Sequence, residues 1–375
     1  LSPHQAHKIN NRGMMSIQSS LTMNTSPFLS SRDFRQAFSS GLSSLLQKGG
    51  LGPFILVCAN ATFDSEIHIL TATELEELFQ RLREQYIDAL ESGRAIQEVE
   101  EDLLVFLKIQ AIGLEKLMHT ERRQAGKWEL QFNHLRSFRP KRITARAPAG
   151  IHVDFDEAGF HFNKGFMQKE AFWAGMLGSK NATLYYNKYP FVDFHALLVP
   201  ERERRLPQFL TLEHHNYVWE LTSQLAETLD GAGFGYNSIG AFASVNHLHF
   251  QMFLKPQGFP VMDAVWRHNG GGEAYPAQCL AFDEPRAAWG CIQMLHSDEI
   301  AYNLLYTPGR LFVFPRLKQG AYPQPAWTSG FTWHELAGGM VVFNREDYEN
   351  LAEPTIWEEL ARLDVGDLPL DSIAL

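Results

Sequence analysis

The chain has 375 residues, 45% of them hydrophobic and 12% aromatic, enough to bury a sizeable core as two domains or as one large domain with an appendage. Its formal charge of −10 excludes a general nucleic-acid binder, because affinity for a phosphate backbone depends on Lys and Arg matched to phosphates. The longest apolar runs, Phe54 to Ala59 and Ala196 to Val199, fall far short of the roughly 20 residues of a membrane span, and Cys58, Cys279 and Cys291 show neither zinc-knuckle nor disulfide-framework spacing, which points to a reducing, cytoplasmic setting with no membrane partner.

Residues 1–45 are rich in Ser, Asn and Met and are broken by Pro3 and Pro27, so they are expected to form a disordered tail. No Asp or Glu precedes Asp33, as in an organelle transit peptide, but Arg is scarce and no amphipathic stripe is visible. Residues 46–120 are expected to form a small ββαα subdomain. Phe54 to Ala59 and Glu66 to Leu70 have strand character, Thr73 with Glu76 makes a capping box for a helix ending at Ser92-Gly93, and Val99 to about His119 reads as a second helix. This unit carries no catalytic cluster and reads as a structural or dimerisation appendage, which leaves room for a homodimer. A basic stretch follows, with Arg122, Lys127, Arg136, Arg139, Lys141, Arg142 and Arg146, readable as a solvated linker or as local donors for a small anion.

Residues 121–375 change character to short strands between Gly, Pro and Asn turns. Trp128 to Phe132 alternates as a strand, Tyr185 to Asn187 and His195 to Val199 flank Pro190, and Leu311 to Phe314 should pair back to Asn303 to Tyr306 through Pro308-Gly309. One clear helix, Glu213 to about Leu229, precedes a Gly-rich tract, and the whole pattern is an antiparallel α+β domain.

That tract runs from Phe234 to Gln251 and ends in His247-Leu248-His249-Phe250-Gln251. On a strand, His247, His249 and Gln251 project from one side over about 13 Å while Leu248 and Phe250 face the core. With 15 His in the chain, a His-x-His pair is expected by chance about 0.6 times, and Gln two places on lowers that to about 0.03. Upstream, Gly233, Gly235 and Gly240 with Asn237, Ser244 and Asn246 let backbone N–H groups approach phosphate oxygens. Glycine spacing and element order exclude a dinucleotide-binding fingerprint. A neutral imidazole, with an ordinary pKa of about 6.5, is a good nucleophile toward phosphorus, and a nearby amide can donate to a nonbridging oxygen.

The tract GYNSIGAFASVNHLHFQ resembles the signature of the GDP-L-galactose and GDP-D-glucose phosphorylases, a branch of the histidine-triad and galactose-1-phosphate uridylyltransferase superfamily. Asn187-x-x-Pro190 with His195-Ala-Leu-Leu-Val-Pro200 resembles the nucleoside-binding strand pair of that superfamily, and Phe162-Asn163-Lys164, Trp333 to Met340 and Arg345 to Tyr348 resemble further family segments. The resemblance, covering about Trp128 to Tyr348, implies a two-repeat, histidine-triad-like antiparallel sheet with the first repeat, ending near Lys255, holding the site. It implies nucleotidyl transfer through a nucleotidyl-histidine, with phosphorolysis of a GDP-hexose by inorganic phosphate as the reaction. His249 would be the nucleophile, His247 its neighbour fixing the tautomer, and Gln251 the phosphate-orienting amide. Asn237, Gly240, Ser244, Asn246, His195 and Lys164 are the candidate substrate contacts. Where the superfamily usually has Gly before that last His, this chain has Phe194. The paired cysteines of zinc-bearing relatives are absent, so neither metal nor cofactor is implied. Alternatives are a dinucleoside-polyphosphate phosphorylase, a hexose-1-phosphate nucleotidyltransferase, a catalytically silent nucleotide-binding regulator, and a zinc hydrolase drawing on His195, His214 or His215.

Overall fold

Helix formation begins within the segment expected to be a tail. The computed structural model describes residues 26–117, 119–139 and 148–368, so the tail and targeting question up to residue 25, and Lys141, Arg142 and Arg146, lie outside the described residues. Ser30 caps helix α1 (Ser31–Lys48) by accepting from the Asp33 N–H, and Phe34, Phe38, Leu42, Leu45 and Leu46 recur on one buried face. From Ser31 onward the tail is therefore a helix; its apolar stripe is masked by the serines between.

The ββαα expectation is corrected to four helices. Helix α2 (Leu51–Phe63) takes the run Phe54 to Ala59, which is buried on every side. An apolar run of that length without periodicity is equally a buried strand or a buried helix, and only its surroundings decide. Asp64 caps α3 (Ser65–Glu91), accepting from the Glu66 and Ile67 N–H groups. Glu66 to Leu70 is therefore the start of a helix, with Thr73 and Glu76 inside it. The predicted stop holds, with Ser92 as C-cap and Gly93 at φ 68°. Helix α4 (Glu100–Ile112) ends at Gly113, short of His119. Nor are these helices an appendage, since their buried side chains and those of the large sheet form one continuous apolar core. Tyr186 Oη donates to the Phe38 carbonyl (2.6 Å), and Lys188 Nζ reaches buried Asp102 at 2.6 Å.

The described part of the basic stretch, through Arg139, is ordered too. Strands β1 (Glu121–Ala125) and β2 (Trp128–Phe132) form a hairpin, followed by the short helix α5 (His134–Phe138). Next come β3 (Ala171–Leu177), β4 (Lys180–Tyr186), β5 (Ala196–Pro200), α6 (Leu212–Ala226), β6 (Ala232–Asn237) and β7 (Phe250–Leu254). Then follow β8 (Leu280–Phe282), α7 (Pro285–Ser297), β9 (Ala301–Thr307) and β10 (Arg310–Arg316). They build one eight-stranded antiparallel sheet in the order β3-β4-β5-β7-β6-β9-β10-β8. The sequence β5-α6-β6-β7 and the sequence β8-α7-β9-β10 have the same connectivity and the same strand order, and they meet where β6 pairs with β9. The predicted hairpin has the expected register, Leu311 opposite Tyr306 and Phe314 opposite Asn303, around Gly309 at φ 72°.

Alternation divides the side chains between two cores. Met252, Leu254, Leu304, Tyr306, Leu311 and Val313 face the helices, while Phe253, Leu305, Phe312 and Phe314 enter a second core on the opposite face. That second core is closed by α8 (Trp333–Leu336), β11 (Gly339–Val342), α9 (Arg345–Asn350) and α10 (Glu353–Ala361), with β11 joining β2 in parallel. Among the described residues no helix is long and apolar enough to cross a membrane.

Candidate active site

The His-x-His-x-Gln tract sits where sheet pairing stops. Strand β7 pairs with β5 as far as Leu198 opposite Phe250, and with β6 as far as Gly235 opposite Gln251. Only Gln251 of the three is in the strand; His247 and His249 precede it, which corrects the expectation that all three share one strand. The alternation nevertheless persists, with Leu248 and Phe250 in the helix-side core.

Lacking a strand neighbour, the backbone of His249 is held by a side chain. Gln208 Oε1 accepts the His249 N–H (2.9 Å), and its Nε2 donates to the carbonyls of His249 (3.2 Å) and Asn237 (2.9 Å). Gln208 is 1% exposed and is fixed by Asn246 Oδ1, which accepts the Gln208 N–H at 2.9 Å. The sequence gives no signal for Gln208, which lies in an irregular segment outside any periodic pattern.

The His249 ring donates from Nδ1 to the His247 carbonyl (2.8 Å), which leaves the Nε2 lone pair without a partner among the described residues. Burial pushes the His249 pKa down to about 4, so the ring is neutral at pH 7. His247 contributes that carbonyl, while its own Nδ1 accepts from the Phe162 N–H (3.2 Å) and its buried Nε2 has no hydrogen-bond partner among the described residues. Burial, then the neighbouring His249 and His161, hold His247 down to about 4 as well. Phe162 packs 5.4 Å from the His249 ring, so the Phe162-Asn163-Lys164 segment reaches the site through its phenylalanine.

Gln251 is half-buried and points the same way. Its Oε1 accepts from Trp333 Nε1 (2.9 Å) and lies 3.2 Å from His195 Nε2, and its Nε2 has no partner among the described residues. His195 is fully buried, with the Phe191 N–H 3.4 Å from its Nδ1 and Asn187 Nδ2 3.2 Å from its Nε2. Burial, reinforced by Arg136, drops its pKa to about 3. His195 thus lies behind the Gln251 amide, within the core. Phe194 before it adopts φ 52°, the left-handed turn at which the superfamily usually has Gly. Its ring packs against Phe38 (5.4 Å) and Phe34 (6.3 Å), with the Arg35 guanidinium 4.9 Å away, so α1 holds a turn that the residue itself disfavours.

The remaining candidates divide. Asn237 Oδ1 accepts from Asn303 Nδ2 (2.6 Å) and from the Trp333 N–H (3.0 Å), bridging the two halves of the sheet, while its Nδ2 has no partner among the described residues. Gly240, at φ 86°, faces Ala301 and Lys318 of the second half, and its carbonyl accepts the Gln319 N–H (2.7 Å). Ser244 is exposed, with no hydrogen bond among the described residues. Asn246 and Lys164 are turned to backbone carbonyls: Asn246 Nδ2 to Asp154 (2.7 Å) and Lys164 Nζ to Glu157 (2.9 Å). On the far side of Phe191, whose ring lies 4.3 Å from that of His195, a cavity of about 390 Å³ is lined by Arg122, Gln131, Lys255 and His334 among others.

The one group of His, Cys, Asp and Glu side chains close enough to share an ion, among the described residues, is Glu201, Glu213 and His214. Lys180 Nζ binds both of its carboxylates, so an ammonium already balances them, and neither His247 nor His249 belongs to it. His215 is engaged by Tyr306 Oη and the Pro285 carbonyl, both at 2.9 Å.

A neutral ring nitrogen and an outward amide on one face suit attack on an electrophile and stabilisation of its oxygens. Residues 127–253, from the start of β2 into β7, match the family model described as GDPGP1-like, N-terminal domain. GDP-D-glucose phosphorylase 1 of Danio rerio is 29% identical over 236 residues, 55% of this chain and 68% of that protein. GDP-L-galactose phosphorylase 2 of Arabidopsis thaliana is 29% identical over 212 residues, 48% of this chain and 47% of that protein, so the match spans about half of the plant relative. Among solved structures, yeast Ap4A phosphorylase Apa2 aligns at 16% identity with a TM-score of 0.47, covering 74% of this chain and all of that one. The matched segment contains the whole His-x-His-x-Gln tract and the strand pair beside it, and over that segment the chain is similar to the GDP-hexose phosphorylases.

Proposed function

We propose that this protein transfers a nucleotidyl group through a covalent nucleotidyl-histidine at His249, and that the reaction is phosphorolysis of a GDP-hexose. His249 Nε2 attacks the α-phosphorus, the bond from that phosphorus to the bridging oxygen breaks, and hexose 1-phosphate leaves with the bond's electron pair. Inorganic phosphate then attacks the same phosphorus, the P–N bond breaks, and GDP departs while the imidazole is restored. The proton stays on His249 Nδ1, donated to the His247 carbonyl throughout, so the cationic phosphoramidate is stabilised where it forms. Gln251 Nε2 donates to a nonbridging oxygen as charge shifts onto it. Most of the acceleration comes from positioning and charge stabilisation.

The observation that carries this reading is the tautomer of His249: Nδ1 is occupied by a backbone carbonyl and Nε2 has no partner among the described residues, as the Gln251 amide has its oxygen occupied and its nitrogen without a partner among them. The names of the relatives support a GDP-hexose as substrate. The test is phosphate-dependent turnover of GDP-glucose, GDP-galactose, GDP-mannose, ADP-glucose and diadenosine tetraphosphate, with His249→Asn alongside. Release of GDP and hexose 1-phosphate from a GDP-hexose, abolished in His249→Asn, is the expected result. Turnover by that variant at the parent rate, or preference for diadenosine tetraphosphate, overturns the proposal.

A further inference from the structure

We infer that Trp333, supplied by the second half of the molecule, is a positioning residue that decides which end of the Gln251 amide faces the substrate. The inference rests on the reading of His249 and Gln251 as the catalytic pair. The two ends of a glutamine amide have nearly the same shape, and the terminal torsion is broad and roughly two-fold, so sterics alone do not choose between them. Only one orientation offers an N–H to a phosphoryl oxygen; the other presents a carbonyl that repels it.

The choice is therefore made by hydrogen bonding behind the amide. Gln251 Oε1 has two neighbours: Trp333 Nε1, which donates to it at 2.9 Å, and His195 Nε2 at 3.2 Å, which Asn187 Nδ2 also approaches at 3.2 Å. They are not equivalent. An imidazole can move its proton to the other nitrogen, and here the opposing bond on Nδ1, from Phe191, is a long one at 3.4 Å. With that shift His195 would accept from a reversed amide. An indole has no such alternative, because its nitrogen only donates. A reversed amide would set an NH₂ group against the indole N–H, losing one hydrogen bond and opposing two donors.

The indole is itself rigidly held. It stacks on Phe253 (5.2 Å between centroids, 17° between planes), with the edge of Phe259 at 5.6 Å. It lies over Gly235, where any Cβ would overlap the ring. Its backbone N–H is anchored on Asn237 Oδ1 (3.0 Å) at the start of α8. Trp333 lies outside residues 127–253, so the matched domain alone lacks the donor that orients its own amide.

Trp333→Phe keeps an aromatic ring over Gly235 and removes only the donor. Turnover of the GDP-hexose is expected to fall about 10- to 100-fold, more in kcat than in KM, because the amide acts mainly as charge develops. In a Gln251→Ala background the same substitution is expected to cost almost nothing further, whereas a purely packing role would multiply the two losses. A measurement independent of activity uses the indole N–H signals of ¹⁵N-labelled protein, eight Trp in all, of which Gln251→Ala should move one strongly. Parent-rate turnover by Trp333→Phe while Gln251→Ala is slow, fully multiplicative losses, or no indole signal responding to Gln251→Ala would each overturn the inference. Parent-rate turnover by His249→Asn is a different failure, which removes the catalytic reading itself.

Discussion

The two halves of the large sheet share one order of elements, β5-α6-β6-β7 and β8-α7-β9-β10, and put it to different use. In the second half β9 and β10 are joined by the two-residue turn Pro308-Gly309, and pairing continues to the turn. In the first half residues 238–249 separate β6 from β7, and pairing stops at Phe250. A paired strand end has no backbone group to spare, whereas an unpaired one needs side chains such as Gln208 to satisfy it. The proposed chemistry sits at the unpaired end, and the second half returns to it through Trp333 and Asn303. The regular part of the sheet is thus duplicated and the interrupted part is not.

The most severe way to break this contrast is His249→Asn. Loss of the nucleophile should lower turnover on the order of 10⁴-fold or more, read as single-turnover release of hexose 1-phosphate; a parent rate would leave the halves chemically alike. Next comes Gln251→Ala, expected to cost about 10²- to 10³-fold, as removal of one preorganised donor does. A loss confined to KM would assign the amide to ground-state binding instead.

Gln208→Leu sharpens the contrast through stability. It leaves the His249 N–H and the carbonyls of His249 and Asn237 without their partner. An orphaned buried group costs about 1–3 kcal/mol, so a loss of roughly 3 kcal/mol or more is expected in urea unfolding. An unchanged midpoint would show that the clamp is dispensable.

The gentlest probe is pH. Burial holds His195 at about 3 and His215, His247, His249 and His296 at about 4. The unfolded chain binds protons near its ordinary value of about 6.5, so these folded-state values are depressed. Stability is then full above about pH 6.5 and is lost progressively as pH falls toward 4, where only the unfolded chain takes up the protons. Urea titrations at pH 7.5, 6 and 5 should show a falling midpoint, and the activity of the neutral His249 should persist below pH 6.5. A flat midpoint with activity falling at pH 6.5 would mean that the rings are not buried as described.

Much was legible in the sequence where structure is written locally. The register around Pro308-Gly309, the helix from Leu212 and the sidedness of Leu248 and Phe250 against His247, His249 and Gln251 follow from turn chemistry and from side-chain period, which neighbouring residues carry among themselves. The proposed nucleophile and its amide were named on that basis, with the family resemblance. Contacts between remote segments decided the rest. Phe54 to Ala59 is a helix because other helices surround it, and Phe194 keeps a glycine-like turn because α1 packs on its ring. Gln208 and Trp333 gain their roles from partners 41 and 82 positions away. No local pattern encodes such pairs, since a hydrogen bond across the fold exists only once the chain has brought its two ends together.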